Sequence, residues 1–199
     1  GKHSLYEGGV RGVAAIWSPR LRHMAQVSNN LMHVADWLPT LYSAAGGNPR
    51  ELGDIDGVDF WPHFSKINKP APRDSLVINI NEHEKTEAAI YRRWKLVRGR
   101  YRDGNYDFYF GHNGKNHNVP PYDFDAIHNS AVVSAFHSHL GQPVTQRSAM
   151  TTLREAATVQ EYPELKYNDS FPCRNETECL FDIVQDPWEV DNVAKLYPN

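Results

Sequence analysis

Apolar positions in the first fifty residues follow two different rhythms. Val10-Arg11-Gly12-Val13-Ala14-Ala15-Ile16-Trp17 leaves a Glu7-Gly8-Gly9 turn as an almost unbroken apolar run, and Pro19 stops it. A run without alternation predicts a strand around Val13 to Trp17 that is buried on both faces, as in a parallel or mixed sheet. Further on, Val34, Leu38, Leu41 and Ala45 recur at helical spacing. Asp36 can cap that helix, its first turn accepts Pro39, and Gly46 is a natural end. Strand, loop and helix in this order make one α/β unit.

From Asn48 to about Arg73 the prolines and glycines crowd, and Lys66-Ile-Asn-Lys-Pro-Ala-Pro-Arg73 has the character of a connector. Beyond it the rhythm changes. Ser75 to Ile80 (SLVINI) and Ala88 to Val97 (AAIYRRWKLV) predict two strands. The second sets Ile90, Arg92, Trp94 and Leu96 against Tyr91, Arg93, Lys95 and Val97, as an antiparallel strand with one wetter face would. Residues 99–146 are rich in Gly, Asn, Tyr and Pro and predict loops and irregular hairpins. Ser148 to Gln160 predicts a helix capped by Ser148, Cys179 to Val184 a last strand, and Glu189 to Tyr197 a final helix. The fold class expected is α/β. Residues 1–68 form the C-terminal piece of an α/β domain, and residues 69–199 a small α+β domain with an antiparallel sheet and long loops.

Composition narrows this picture in two ways. A chain of 199 residues, 40% hydrophobic and 23% charged, is ordinary for a globular protein, which excludes global disorder. A formal net charge of −3 provides no basic field to attract nucleic acid. No apolar run approaches the roughly 20 residues that span a bilayer. The chain opens Gly-Lys-His without the marks of a signal peptide, so either a leader has been removed or the true start lies elsewhere.

The two cysteines, Cys173 and Cys179, lie in FPCRNETECLFDI. Their spacing suits either a short disulfide across a hairpin loop or an unlinked pair. Asn168-Asp-Ser and Asn175-Glu-Thr both fit the N-glycosylation acceptor pattern, and one of them lies between the cysteines. That combination points to the secretory route.

Catalytic chemistry is sparse. There is no Gly-x-Ser-x-Gly elbow, phosphate-binding glycine loop or His-Glu-x-x-His. His137-x-His139 and His112-x4-His117 lack a clustered carboxylate or cysteine to complete a metal site, and solvated loop histidines are the plainer reading. Asp54, Asp56 and Asp59 lack the spacing of a calcium loop and suit a turn with exposed carboxylates. Tyr106, Phe108, Tyr109 and Phe110 have the rings to stack on a sugar, although a local mini-core is the plainer use of them.

Two separated patterns carry more. The first is Lys2-His-Ser-Leu-Tyr-Glu-Gly-Gly-Val-Arg-Gly-Val, followed by Trp17-Ser-Pro and His33-Val-Ala-Asp-Trp-Leu-Pro-Thr-Leu. The second is Trp94-Lys-Leu, followed far downstream by Leu180-Phe-Asp-Ile-Val-Gln-Asp-Pro-Trp-Glu-Val-Asp-Asn-Val-Ala. In order and spacing they resemble the latter part of a sulfatase, closest to the arylsulfatase B group. The likeness covers Gly1 to Phe60, Ala88 to Arg98 and Cys179 to Tyr197.

The resemblance implies the end of a sulfatase (alkaline-phosphatase-like) α/β sandwich followed by the small domain. It also implies a parent enzyme that hydrolyses sulfate esters of sulfated sugars or aryl sulfates, with a formylglycine nucleophile and a calcium ion. Lys2 takes the place of the family lysine that contacts the sulfate. A compact ammonium with three donors suits that task. Glu7, Gly8, Gly9 and Arg11 themselves read as structural: the glycines allow positive φ and close approach, and Glu7 and Arg11 can pair to anchor the turn. The nucleophile segment and metal ligands would lie upstream of Gly1, so the chain alone is expected to be inactive. Its partners would be the remainder of the sulfatase fold and a sulfated substrate, and its location lysosomal or secreted. A phosphoesterase or phosphonate hydrolase of the same superfamily, or a non-catalytic glycoprotein module, are the competing readings.

Overall fold

The computed structural model describes residues 4–22, 25–66, 68–99, 122–141, 146–159 and 178–197. The described residues fall into two compact units. One contains 4–22, 29–66, 68–99 and 178–197, and the other 25–28, 122–141 and 146–159. Helices together with a four-stranded antiparallel sheet give a mixed α and β architecture.

The sheet belongs to the first unit. Its strands are β1 Ser75–Asn81, β2 Thr86–Tyr91, β3 Trp94–Arg98 and β4 Glu178–Asp182, in the order β1-β2-β3-β4. Every neighbouring pair is antiparallel. The single strand expected over 88–97 is therefore two. Arg92 and Arg93 turn the chain, with Arg92 at φ 56°, and Tyr91 pairs with Trp94 across the turn. No glycine or asparagine marks this turn, so the alternation runs straight through it in sequence. The wetter face assigned to one strand is also redrawn, because Ile90 and Lys95 now stand opposite each other across β2 and β3.

One face of the sheet is buried: Thr86, Ala88 and Ile90 of β2, Lys95 and Val97 of β3, and Cys179 and Phe181 of β4. The period of two places them together. Ala88, Val97, Cys179 and Phe181 form a core with Tyr6, which meets Phe181 edge-on at 6.1 Å between ring centroids, and Leu5, Ile78 and Ile183 pack against it. On the opposite face Arg98 joins two in-register neighbours, Glu87 at 2.6 Å and Glu178 at 2.7 Å.

The same unit contains α1 Glu7–Val10, α2 Trp37–Ala44 and α3 Trp61–Ser65. The expected helix at 31–45 is present from Trp37, preceded by a 3-10 turn at Val34–Asp36, and Gly46 ends it at φ 96°. Its face is not the expected one. Pro39 and Thr40 are buried, while Val34, Leu38 and Leu41 are exposed. Thr40 Oγ1 accepts from the Phe60 N–H at 2.9 Å, which turns the helix toward the Val58–Phe60 stretch.

The strand expected around Val13 to Trp17 is not formed. Residues 11–18 have no regular structure, Val13 is fully exposed and Trp17 is 59% exposed. A strand needs hydrogen-bonding neighbours, and among the described residues the sheet consists of β1 to β4.

The second unit holds α4 Phe124–His128, α5 Ala131–Leu140 and α6 Arg147–Ala157. Two helices thus replace part of the loop region expected over 99–146. Asp123 caps α4 through the N–H groups of Asp125 and Ala126, and Ser130 caps α5 through that of Val133. The third helix matches the one expected at 148–160, but starts after Gln146 rather than at Ser148. In the first unit, the final helix expected at 189–197 shrinks to a 3-10 turn at Ala194–Leu196.

Candidate functional site

Lys2, Cys173, Asn168 and Asn175 lie outside the described residues, as do His112, His117 and the Tyr106 to Phe110 aromatics. The segment that follows Lys2 is described from Ser4 onward. Leu5 and Tyr6 pack on the sheet, and Tyr6 O then accepts from the N–H groups of Gly9 at 2.7 Å and Val10 at 3.1 Å. Gly8 and Gly9 are helical residues of α1, and neither adopts the positive φ expected of them.

Glu7 is the best-anchored residue of this segment. Its Oε1 lies 2.9 Å from Lys95 Nζ, and Lys95 Nζ lies 2.8 Å from Glu189 Oε1. The Glu7 main-chain N–H donates to Glu189 Oε2 at 2.5 Å, closing the ring of three residues. Lys95 is 0% and Glu189 1% exposed, whereas the Glu7 side chain keeps partial contact with solvent. Burial pushes the Glu189 carboxyl above its ordinary value, and the adjacent Lys95 offsets this only in part. The expected Glu7–Arg11 pair exists but is long, 4.0 Å, with Arg11 substantially exposed. An exposed pair of that length contributes little. The strong partner of Glu7 is Lys95.

Sequence reasoning missed this ring. Lys95 sits between Trp94 and Leu96 at an inward register position, which was the available signal. Its partner Glu7 is 88 residues away, and no local pattern reports it. The left-handed turn that presents Glu189, at φ 56°, is tied by Asp186, whose carboxylate accepts from Val190 at 3.1 Å and Asp191 at 2.9 Å.

His33 and Asp36 form a capping box. His33 Nδ1 accepts from the Ala35 N–H at 3.3 Å, and Asp36 Oδ2 accepts from the His33 N–H at 2.7 Å. Asp36 does more than cap. It also accepts from the Val58 N–H at 2.8 Å and takes a two-pronged contact from Arg73, Nε at 2.9 Å and Nη2 at 2.5 Å. Burial works to raise the Asp36 carboxyl, but Arg73 and the two N–H donors outweigh it and hold the group below its usual value. Of the expected acidic turn, Asp59 Oδ1 accepts from the Trp61 N–H at 2.8 Å, just before α3 begins.

Cys179 is buried in β4, where its Sγ accepts from Asn192 Nδ2 at 3.2 Å. Among the described residues no group of three or more His, Cys, Asp or Glu side chains is placed to hold a metal ion. The described residues therefore do not fit a calcium site, and no chemical step here passes through one. Among them, too, no helix is long and apolar enough to cross a membrane.

Among the described residues the arrangement thus provides an anchored turn at Glu7 and two buried carboxylates, Asp36 and Glu189, each ion-paired. No protein-family model matches the chain. It is 33% identical to arylsulfatase J of Mus musculus over 99% of its own length, and it spans 28% of that relative. The likeness first seen in two separated motifs therefore extends through the whole chain, which is the counterpart of a stretch of a sulfatase-family protein.

Proposed function

We propose that these residues are the closing part of a sulfatase that hydrolyses sulfate esters of sulfated sugars or aryl sulfates. The observation that carries this is the identity to an arylsulfatase along essentially the entire chain. In this reading the end of the α/β sandwich precedes residue 69, and the sheet of β1 to β4 is the core of the small domain. A formylglycine nucleophile and a calcium ion, held by residues outside this chain, would supply the bond-breaking chemistry. Lys2 contributes a fixed positive charge against the sulfate, where negative charge accumulates on the transferring group and leaving oxygen. A disulfide between Cys173 and Cys179, glycans at Asn168 and Asn175, and a lysosomal or secreted location complete the proposal.

The exposed apolar residues support the reading that a larger body covers this chain. Val13, Trp17, Val34, Leu38 and Leu41 all face solvent, although their spacing is that of buried elements. We take the remainder of the sulfatase fold as the partner that covers them.

Two measurements test the proposal. Purified residues 1–199 should not turn over a chromogenic aryl sulfate, with or without calcium, and measurable turnover would overturn the assignment of the nucleophile elsewhere. In the longest polypeptide its gene encodes, aryl sulfate should be hydrolysed. Lys2→Ala should then lower kcat by about 100-fold, the scale of removing one transition-state donor. Hydrolysis of phosphate esters in preference to sulfate esters would favour a phosphoesterase instead.

A further inference from the structure

We propose that Lys95 and Glu189 are positioning residues that hold the segment entering from Lys2 in register with the sheet. The inference rests on the reading of Lys2 as the sulfate contact. Glu7 follows Lys2 by five residues and is held at two separate points. Its main-chain N–H donates to Glu189 Oε2 at 2.5 Å, and its carboxylate pairs with Lys95 Nζ at 2.9 Å. Two anchors on different atoms of one residue fix both the position of the chain and its rotation. Leu5 and Tyr6, between Lys2 and Glu7, are seated on the core around Phe181.

The three charges come from distant stretches: α1, the inward face of β3, and the turn after β4. Glu189 reaches its place from a left-handed backbone, with Asp186 tying the N–H groups that follow it. The groups facing Glu189 are Lys95 and Glu7, with Arg11 beyond Glu7 at 4.0 Å. Two carboxylates share one fully buried ammonium, and one of them, Glu189, is itself buried. Apolar side chains of similar volume would often hold two elements together as well or better. What the ionic ring adds is direction: a particular N–H is pinned to a particular oxygen, and α1 cannot slide by one residue without breaking both contacts of Glu7. A catalytic cation needs that, since misplacement by about 1 Å lowers rate on the order of 100-fold.

The test uses the protein expressed at full length from its own gene, assayed on 4-nitrocatechol sulfate, with Lys2→Ala, Glu189→Ala, Glu189→Gln and the double variant Lys2→Ala/Glu189→Ala. Glu189→Ala should lower kcat at least tenfold per folded molecule while KM stays within about twofold. Glu189→Gln, which keeps an acceptor for the Glu7 N–H, should recover most of that loss. Lys95→Met should behave as Glu189→Ala does. If Glu189 acts through Lys2, the double variant should be no slower than Lys2→Ala alone, because neighbouring effects on one group are not additive. Additive losses, or a Glu189→Ala enzyme with unchanged kcat, would overturn the inference. Hydrogen exchange at the amides of residues 4–11 separates the two layers. If Glu189→Ala speeds that exchange at least tenfold while Lys2→Ala leaves kcat unchanged, the anchor stands and the reading of Lys2 fails. If exchange is unchanged, the anchor itself is refuted.

Discussion

Asp36 and Glu189 are both buried carboxylates beside a cation, yet their pKa values move in opposite directions. Asp36 accepts four hydrogen bonds, two of them from a guanidinium fork, and sits below its ordinary value. Its stabilisation is complete above the unfolded carboxylate pKa and is lost as pH falls through the lower folded value. We therefore expect Asp36→Asn to lower stability by about 3 kcal/mol at neutral pH, the scale of breaking a buried pair. In urea titrations at successive pH values, the gap to the unaltered protein should close below about pH 4. Glu189 lies above its ordinary value, so its contribution is complete at acid pH and falls as pH rises through the raised pKa. Glu189→Gln should accordingly flatten the same stability profile above the unfolded carboxylate pKa, and an unchanged slope there would overturn the assignment. At this scale the sequence was half legible. A capping role for Asp36 is local and legible, although its side chain serves the His33 N–H rather than the first turn of α2; Arg73 lies 37 residues from Asp36 and leaves no local signal.

Local signals located most elements and misdrew several boundaries. Gly46 ended its helix as its conformational freedom suggested, and β1 and β4 fell close to their expected spans. The β2–β3 turn was invisible because Arg92 occupies a position where two-residue hairpins favour glycine. A left-handed non-glycine residue carries a steric cost of about 1–2 kcal/mol. Arg92→Gly should therefore raise stability by about 0.5 kcal/mol after the added backbone entropy of glycine, since the ion pair it loses to Asp74 is exposed. A higher midpoint in urea is the check. Gly99 is the reverse case. It sits at φ 75°, and a Cβ there would lie 2.0 Å from the carbonyl oxygen of Lys85. Gly99→Ala should destabilise by about 2–4 kcal/mol, because neither the turn backbone nor the left-handed geometry can yield cheaply.

The apolar stripe of α2 was found with the right period and the wrong neighbour. Periodicity reports that a face is meant to be covered without saying by what. Val34, Leu38 and Leu41 are exposed, and burial of the helix instead runs through Pro39, Thr40 and the Asp36 cap. Asp36–Arg73 and Glu7–Lys95 tie residues on either side of the 68/69 position into one compact unit. Such long-range ion pairs leave no trace in composition. Exposed apolar patches rimmed by polar residues mark association surfaces, so the isolated chain should self-associate at micromolar concentration. Leu38→Glu should shift sedimentation toward monomer with a stability change within about 0.5 kcal/mol. An unaltered sedimentation profile would argue against this face as the contact.

The long gap before β4 also sets a timetable for synthesis. Glu7 leaves the ribosome 88 residues before Lys95, and Arg93 leaves it 89 residues before its partner Asp182. At about 5–20 residues per second each interval lasts roughly 4–18 s. For nearly all of the second interval β3 has been made without its partner strand β4, and Lys95 without Glu189. A chaperone that recognises strand edges would find its longest opportunity there, and a stop codon anywhere between β3 and β4 would leave that edge permanently uncovered.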